Sequence, residues 1–131
     1  MIHVLGIDAV DISRFASWHT KPHTSLHRIF TAEEIAYALQ DTKKSAERFA
    51  VRFAAKEAFL KGVQQLFVEK YFSLLKIARC CFVQKNSHGQ PFLRVDWQQL
   101  IGHSSPDIFC TISLTHTHTT AIAVVMLSKN L

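Results

Sequence analysis

Residues 48–62 read RFAVRFAAKEAFLKG, and seven of these fifteen are alanine or phenylalanine, the make-up of a helix that enters a core. At about 100° per residue, Phe49, Phe53 and Leu60 share one packing stripe. Glu57 and Lys61 sit four apart beside that stripe. Arg48, Arg52 and Lys56 climb its other side at successive i, i+4 steps. Four basic groups and one acid are a heavy charge load for such a helix. A solvated face with one ordinary ion pair, contributing about 0.3–0.5 kcal/mol, would account for it. So would a place where an anion is gripped. Gly62 stands where a C-terminal cap belongs, so the helix is expected to end there.

Working outward, Phe30-Thr31-Ala32-Glu33-Glu34-Ile35 has the marks of a helix start. Thr31 and Glu34 form a capping box, and Phe30 and Ile35 flank them as a hydrophobic staple. A polar link over 40–45 leads into the core helix. Before it, Val4, Leu5 and Ile7 make a short apolar strand ending at Asp8, and Ile12 and Phe15 are spaced as on one helix face. Residues 19–24, with Pro22 and small polar neighbours, break that pattern. After Gly62, residues 63–75 fit either a helix or a loop followed by a helix. Residues 77–83 read as a strand, 86–91 as a turn and 92–95 as a returning strand, together a hairpin. A variable piece over 98–107 precedes a strand at 109–116. The unbroken apolar run 121–127 suits a central, buried strand. A first strand, then helices, then antiparallel strands joined by short turns indicate an α+β fold, with residues 1–131 as one domain.

Apolar residues make up 48% of the 131 and charged residues 19%, enough to fold around a core. No apolar run approaches the roughly 18 residues that span a bilayer. The first eight residues carry no basic group ahead of the apolar run and soon meet an acid, which suits a first strand better than a signal peptide. A cytoplasmic protein without a membrane segment is the expectation. Cys80, Cys81 and Cys110 form no CxxC and are odd in number, so they read as reduced, buried thiols. The net charge of +5 suits an acidic or phosphorylated partner, whether nucleic acid, an anionic nucleotide or an acidic protein. A nucleic-acid surface would interleave exposed aromatics with cations. Here the phenylalanines fall on core stripes, which argues against a basic, non-catalytic nucleic-acid module.

Asp8, directly after an apolar run, needs a partner. Together with Glu57 on a neighbouring helix it could bind a hard divalent cation, since magnesium takes one or two protein carboxylates and leaves its other positions to water and phosphates. Placed beside Lys56, Lys61 and Arg52, such a pair would grip a phosphate ester. His116 and His118 form a His-x-His on one strand, too few ligands for a closed metal site. His116 alone reads as structural.

Three stretches, GIDAVDISRF at 6–15, RFAAKEAFLK at 52–61 and SLTHT at 113–117, closely resemble the holo-acyl-carrier-protein synthases, the small bacterial branch of the 4′-phosphopantetheinyl transferases. The likeness covers residues 2–62 and, more loosely, 77–127. The middle stretch is the most specific, with an aromatic residue, two small ones, Lys-Glu and a further lysine four beyond the Glu. The resemblance implies an α+β transferase that moves 4′-phosphopantetheine from coenzyme A to a serine of apo-acyl carrier protein, for fatty-acid biosynthesis, and releases 3′,5′-ADP. It implies that Asp8 and Glu57 ligate Mg²⁺ and that Lys61 lies near the breaking phosphoanhydride. Arg52 and His116 match positions near the nucleotide 3′-phosphate, with Lys56 adding to the coenzyme-binding charge. Arg14, Lys21 and Arg28 match basic positions that hold the acidic carrier protein. The base that takes the serine proton is either a metal-positioned water or Glu57 itself. The resemblance also implies a homotrimer with sites between subunits. This chain departs from its relatives in places. Gly62 is followed by Val63-Gln64-Gln65-Leu66 instead of Gly-Thr-Gly-Ile, in the loop that supports coenzyme A. Gly89-Gln90-Pro91 replaces Gly-Lys-Pro, and Thr24 stands where relatives often carry a basic residue. A relative that binds coenzyme A without transferring it is the alternative those departures raise.

Overall fold

A computed structural model describes residues 1–104 and 107–130. The chain opens with strand β1 (Ile2–Asp11), followed by short 3₁₀ turns at Ile12–Phe15 and Trp18–Thr20. Helices α1 (His23–Leu26), α2 (Ala32–Leu39), α3 (Ser45–Leu66) and α4 (Leu74–Cys80) come next. A hairpin of β2 (Cys81–Lys85) and β3 (Pro91–Val95), a short α5 (Trp97–Ile101), and strands β4 (Ile108–His116) and β5 (Thr120–Lys129) complete it. This is the expected α+β order. The long strands form one antiparallel sheet, β1-β5-β4, and the apolar run of β5 lies at its centre. Ala121, Ala123, Val125 and Leu127 of β5 are fully buried against α3, whereas Met126 looks outward. That alternation is the pleat of a strand with only one face on the core.

The structure corrects three readings. Strand β1 runs on to Asp11, so Asp8 lies within it, opposite Ala123, and not at its end. Helix α3 continues four residues past Gly62 to Leu66. The glycine that close packing requires here is Gly6: β1 crosses α3 there, and a Cβ on it would overlap the Ala58 carbonyl and come within 2.9 Å of the Gly62 nitrogen, whereas one on Gly62 would meet Leu127 at an ordinary 3.5 Å. Residues 67–73 are loop, and 74–80 are helical, begun by Ser73, whose hydroxyl accepts from the Lys76 amide at 3.2 Å. The hairpin strand therefore starts at Cys81, four residues later than its β-rich composition suggested.

Helix α3 is the axle of the fold. It packs on β1 and β5 on one side and on α2, α4 and the hairpin on the other, so little of its circumference meets water. Phe15, Phe30, Phe49 and Phe53 cluster around Trp18 at one end, with ring centroids 4.5–6.2 Å apart in the contacting pairs. Phe59, Phe67, Phe72 and Trp97 do so at the other. The capping box of α2 forms as its sequence specifies. The far face of the long sheet is apolar and open, with Leu5 at 59%, Ile7 at 60% and Phe109 at 57% exposure. The cysteines are free thiols, Cys80 and Cys81 being buried and Cys110 half-buried. Burial pushes Cys81 and Cys110 up to about 12, which keeps them protonated. No helix among the described residues is long and apolar enough to cross a membrane.

Candidate active site

The glycine crossing sets β1 against α3 in a register that joins the first two functional groups. Lys61 donates to the Ile7 carbonyl at 2.9 Å and to Asp8 Oδ1 at 3.0 Å. One turn further along, Gln65 donates to the Leu5 carbonyl at 2.6 Å, so two helix side chains tie down the outer edge of β1. Glu57 lies one turn before Lys61 on the same helix. Burial raises its carboxyl above the ordinary range, the charge of Asp8 raises it further, and Lys61 and Arg14 oppose the shift. Asp8, Lys61 and Arg14 thus lie close enough to Glu57 to act on its charge. The Arg14 guanidinium stacks over the Phe53 ring at 4.7 Å, on the flank of α3.

A carboxylate whose ionisation is opposed by burial and by a neighbouring acid is a natural seat for a divalent cation, because the positive charge offsets both influences. Among the described residues no group of three or more His, Cys, Asp or Glu side chains could hold a metal by itself. The Asp8–Glu57 pair thus fits a hard ion that draws most of its oxygen ligands from water and substrate, as magnesium does.

Lys56 and Arg52 do not join this cluster, which corrects the expectation that they flank the metal. Lys56 is fully buried. Its ammonium pairs with Glu34 Oε1 at 2.9 Å and donates to the carbonyls of Ala78 at 3.1 Å and Cys81 at 2.8 Å. Glu34 in turn accepts from the Thr31 amide at 2.9 Å and the Val83 amide at 3.0 Å. Every donor of the ammonium has a partner, so Lys56 pins α2, α3 and the α4–β2 junction together and offers nothing to a ligand in solvent. The reading of Lys56 as a solvated or coenzyme-binding cation fails because α3 is enclosed on that side too.

Arg52 lies on the opposite flank from Asp8. It is 7% exposed, stacks on the Tyr37 ring at 4.3 Å, and its Nε is buried without a partner. Arg48 stacks on the same ring at 4.1 Å and donates to the Tyr37 carbonyl at 2.7 Å. Lys85 donates to the Tyr37 hydroxyl at 2.9 Å, and that bond more than any other influence lowers the phenol from its ordinary value. Three cations thus surround one ring, and among the described residues none of them has an acid within ion-pair distance. Together with Glu47 and His116 these groups line an open cavity of about 150 Å³. His116 Nε2 contacts Glu47 Oε1 at 3.0 Å, so Arg52 and His116 share a cavity as their pairing implied. Tyr37 and Lys85 carried no sequence signal, since neither has a fixed spacing to the motif on α3. Glu34 carried one, the capping box, which accounted for only one of the three bonds to its carboxylate.

Arg14, Lys21 and Arg28 are exposed on the segment between β1 and α2. The charge of Arg14 acts on Glu57, and Lys21 lies over the Trp18 ring at 5.4 Å.

Residues 4–125 match the family model described as the 4′-phosphopantetheinyl transferase superfamily. The chain is 38% identical over 130 residues to a holo-[acyl-carrier-protein] synthase of Treponema denticola, covering 97% of this chain and 98% of that protein. A shorter match of 64 residues, 52% identical to a holo-[acyl-carrier-protein] synthase of Geotalea daltonii, spans 48% of this chain and 50% of that one. Among solved structures, an ACPS–CoA complex of Chronobacterium ammoniagenes superposes with a TM-score of 0.81 at 25% identity over 100% of both chains.

Proposed function

Since this chain belongs to the 4′-phosphopantetheinyl transferase superfamily, and within it to the holo-acyl-carrier-protein synthases, we propose that it transfers phosphopantetheine from coenzyme A to a serine of apo-acyl carrier protein in a magnesium-dependent reaction that leaves 3′,5′-ADP. The observation that carries the reading is the meeting of Asp8, Glu57 and Lys61 at the β1–α3 crossing.

The serine oxygen attacks the β-phosphorus of coenzyme A while the bond from that phosphorus to the bridging oxygen breaks, and 3′,5′-ADP departs with the bonding pair. Asp8 and Glu57 would hold the magnesium ion, which when bound draws charge off the pyrophosphate oxygens. Lys61 is held beside Asp8 by its bonds to the Ile7 carbonyl and the Asp8 carboxylate, and its ammonium would offset charge developing on the leaving phosphate. Arg52 and His116 take the 3′-phosphate end, with Arg48 and Lys85, gathered around the Tyr37 ring, adding unpaired positive charge to their cavity. Arg14, Lys21 and Arg28 present a basic surface to the acidic carrier, and Arg14 links that surface to the metal pair. The open apolar sheet face around Leu5, Ile7 and Phe109 supports assembly with further copies as a trimer.

The test is mass spectrometry of a purified apo-acyl carrier protein incubated with the enzyme, coenzyme A and Mg²⁺. A gain of one phosphopantetheine group, lost in EDTA, is expected. Coenzyme A binding without any gain would leave a binding protein and refute transfer.

A further inference from the structure

From residue 12 to residue 32 the chain contains no aspartate or glutamate, but it holds Arg14, Lys21, Arg28 and three histidines, His19, His23 and His27. The histidines recur every four residues. His23 opens α1 and His27 closes it, the His27 amide donating to the His23 carbonyl at 2.9 Å. All three side chains are exposed, and none has a hydrogen-bond or ion-pair partner among the described residues. Beneath them this segment rests on Phe49 and Phe53 of α3 through Phe15, Phe30 and Trp18, all uncharged. The charges of α3 are engaged elsewhere: Glu47 with His116, Arg48 and Arg52 with Tyr37, Lys56 with Glu34, Lys61 with Asp8. Glu57 is influenced by Arg14 on the neighbouring 3₁₀ turn. The segment is therefore a continuous basic surface with no internal counter-charge, and three of its members carry charge only when protonated.

Resting on the transferase reading above, we propose that His19, His23 and His27 are contact residues for the acidic carrier protein and make its docking proton-dependent. An imidazole brought against carboxylates gains proton affinity, because the opposite charge favours its protonated form. The complex then binds more protons than its separated components, and linkage requires that docking tighten as pH falls. Fixed cations at those places would bind equally at every pH in the range. The kind of partner follows from the charge: a protein presenting several carboxylates on one exposed face, with which lysine and arginine supply constant attraction and histidine the variable part.

Three exposed charge pairs of ordinary strength amount to about tenfold in affinity. The experiment measures the dissociation constant of purified apo-acyl carrier protein at pH 8 and pH 6, at fixed low ionic strength, for wild type and for the triple variant His19→Gln, His23→Gln, His27→Gln. Melting curves confirm that the variant is folded, and coenzyme A KM and kcat at saturating carrier are measured alongside. Wild type should bind about tenfold tighter at pH 6, the variant should show a flat profile, and coenzyme A KM and kcat should match. An equal pH response in both proteins would overturn the proposal, since the titrating groups would then belong to the carrier. A wild-type protein that modifies the carrier but shows no pH response would overturn it too, leaving the transferase reading intact. Failure of wild type to bind or modify the carrier would bring down both.

Discussion

Replacing Lys56 by methionine separates the two meanings its motif can have. The substitution keeps the length of the side chain and deletes the charge. Glu34 would be left as a fully enclosed carboxylate, holding only its bonds from Thr31 and Val83, and the Ala78 and Cys81 carbonyls would lose their donor. Breaking one side of a buried ion pair costs roughly 3–5 kcal/mol. For a domain of this length each kcal/mol moves the melting temperature by about 3–5 °C, so K56M should melt roughly 10–20 °C below wild type. The double variant Glu34→Gln, Lys56→Met removes both charges and should recover a large part of that loss, because the uncompensated carboxylate is gone. Thermal melts of the four proteins close the cycle, and transfer assays well below the lowest melting temperature test function. K56M should retain coenzyme A affinity there. A K56M protein as stable as wild type but unable to bind coenzyme A would refute the reasoning and return the ammonium to the substrate site.

Glu57→Gln should abolish transfer and leave the fold intact. Because the Glu57 carboxyl titrates above its ordinary value, the native state holds that proton longer than the unfolded chain does. Its ionisation therefore opposes folding as pH rises through the raised value, and in EDTA the glutamine variant should lose less stability than wild type toward neutral pH. Magnesium at ten times its dissociation constant should stabilise wild type by about 1.4 kcal/mol and the variant hardly at all; equal stabilisation of both would remove Glu57 from the metal site. Gly6→Ala places a methyl group into the Ala58 carbonyl, so a loss of about 3 kcal/mol or more is expected, with the magnesium-dependent rise in melting temperature lost as well. Arg52→Ala should raise the KM for coenzyme A about tenfold or more while dephospho-coenzyme A is little affected, if the charged contact removed is the one proposed for the 3′-phosphate. Equal effects on both substrates would place Arg52 elsewhere. Leu5→Glu with Ile7→Lys on the open sheet face should shift the elution volume toward a monomer if that face joins subunits.

Much of the architecture was legible because it rests on local rules. The capping box at Thr31–Glu34, the turn 86–91 and the apolar run 121–127 each sit where the pattern put them. The errors came where a long-range contact overrode a local signal. Gly62 looked like a helix end because glycine caps helices, but α3 is packed against β1 and β5 there and runs on to Leu66. Residues 77–80 looked extended because of their β-rich composition, but Ser73 started a helix and the buried ammonium of Lys56 took up the carbonyls of Ala78 and Cys81.

Sequence alone determined the candidates for the chemistry, two acids and a lysine four residues beyond the second, and the motifs that mark the family. It also determined the helical and strand periods that place them on known faces. The tertiary structure decided which of the helix's cations meet those acids. Positions on one helix are related by rotation, and periodicity says how far apart side chains point but not what stands opposite each of them. Because α3 is enclosed on both sides, Lys61 met Asp8 across the glycine crossing, Lys56 met Glu34 in the interior, and Arg52 met Tyr37 on the far flank. Three similar cations thereby acquired three different surroundings.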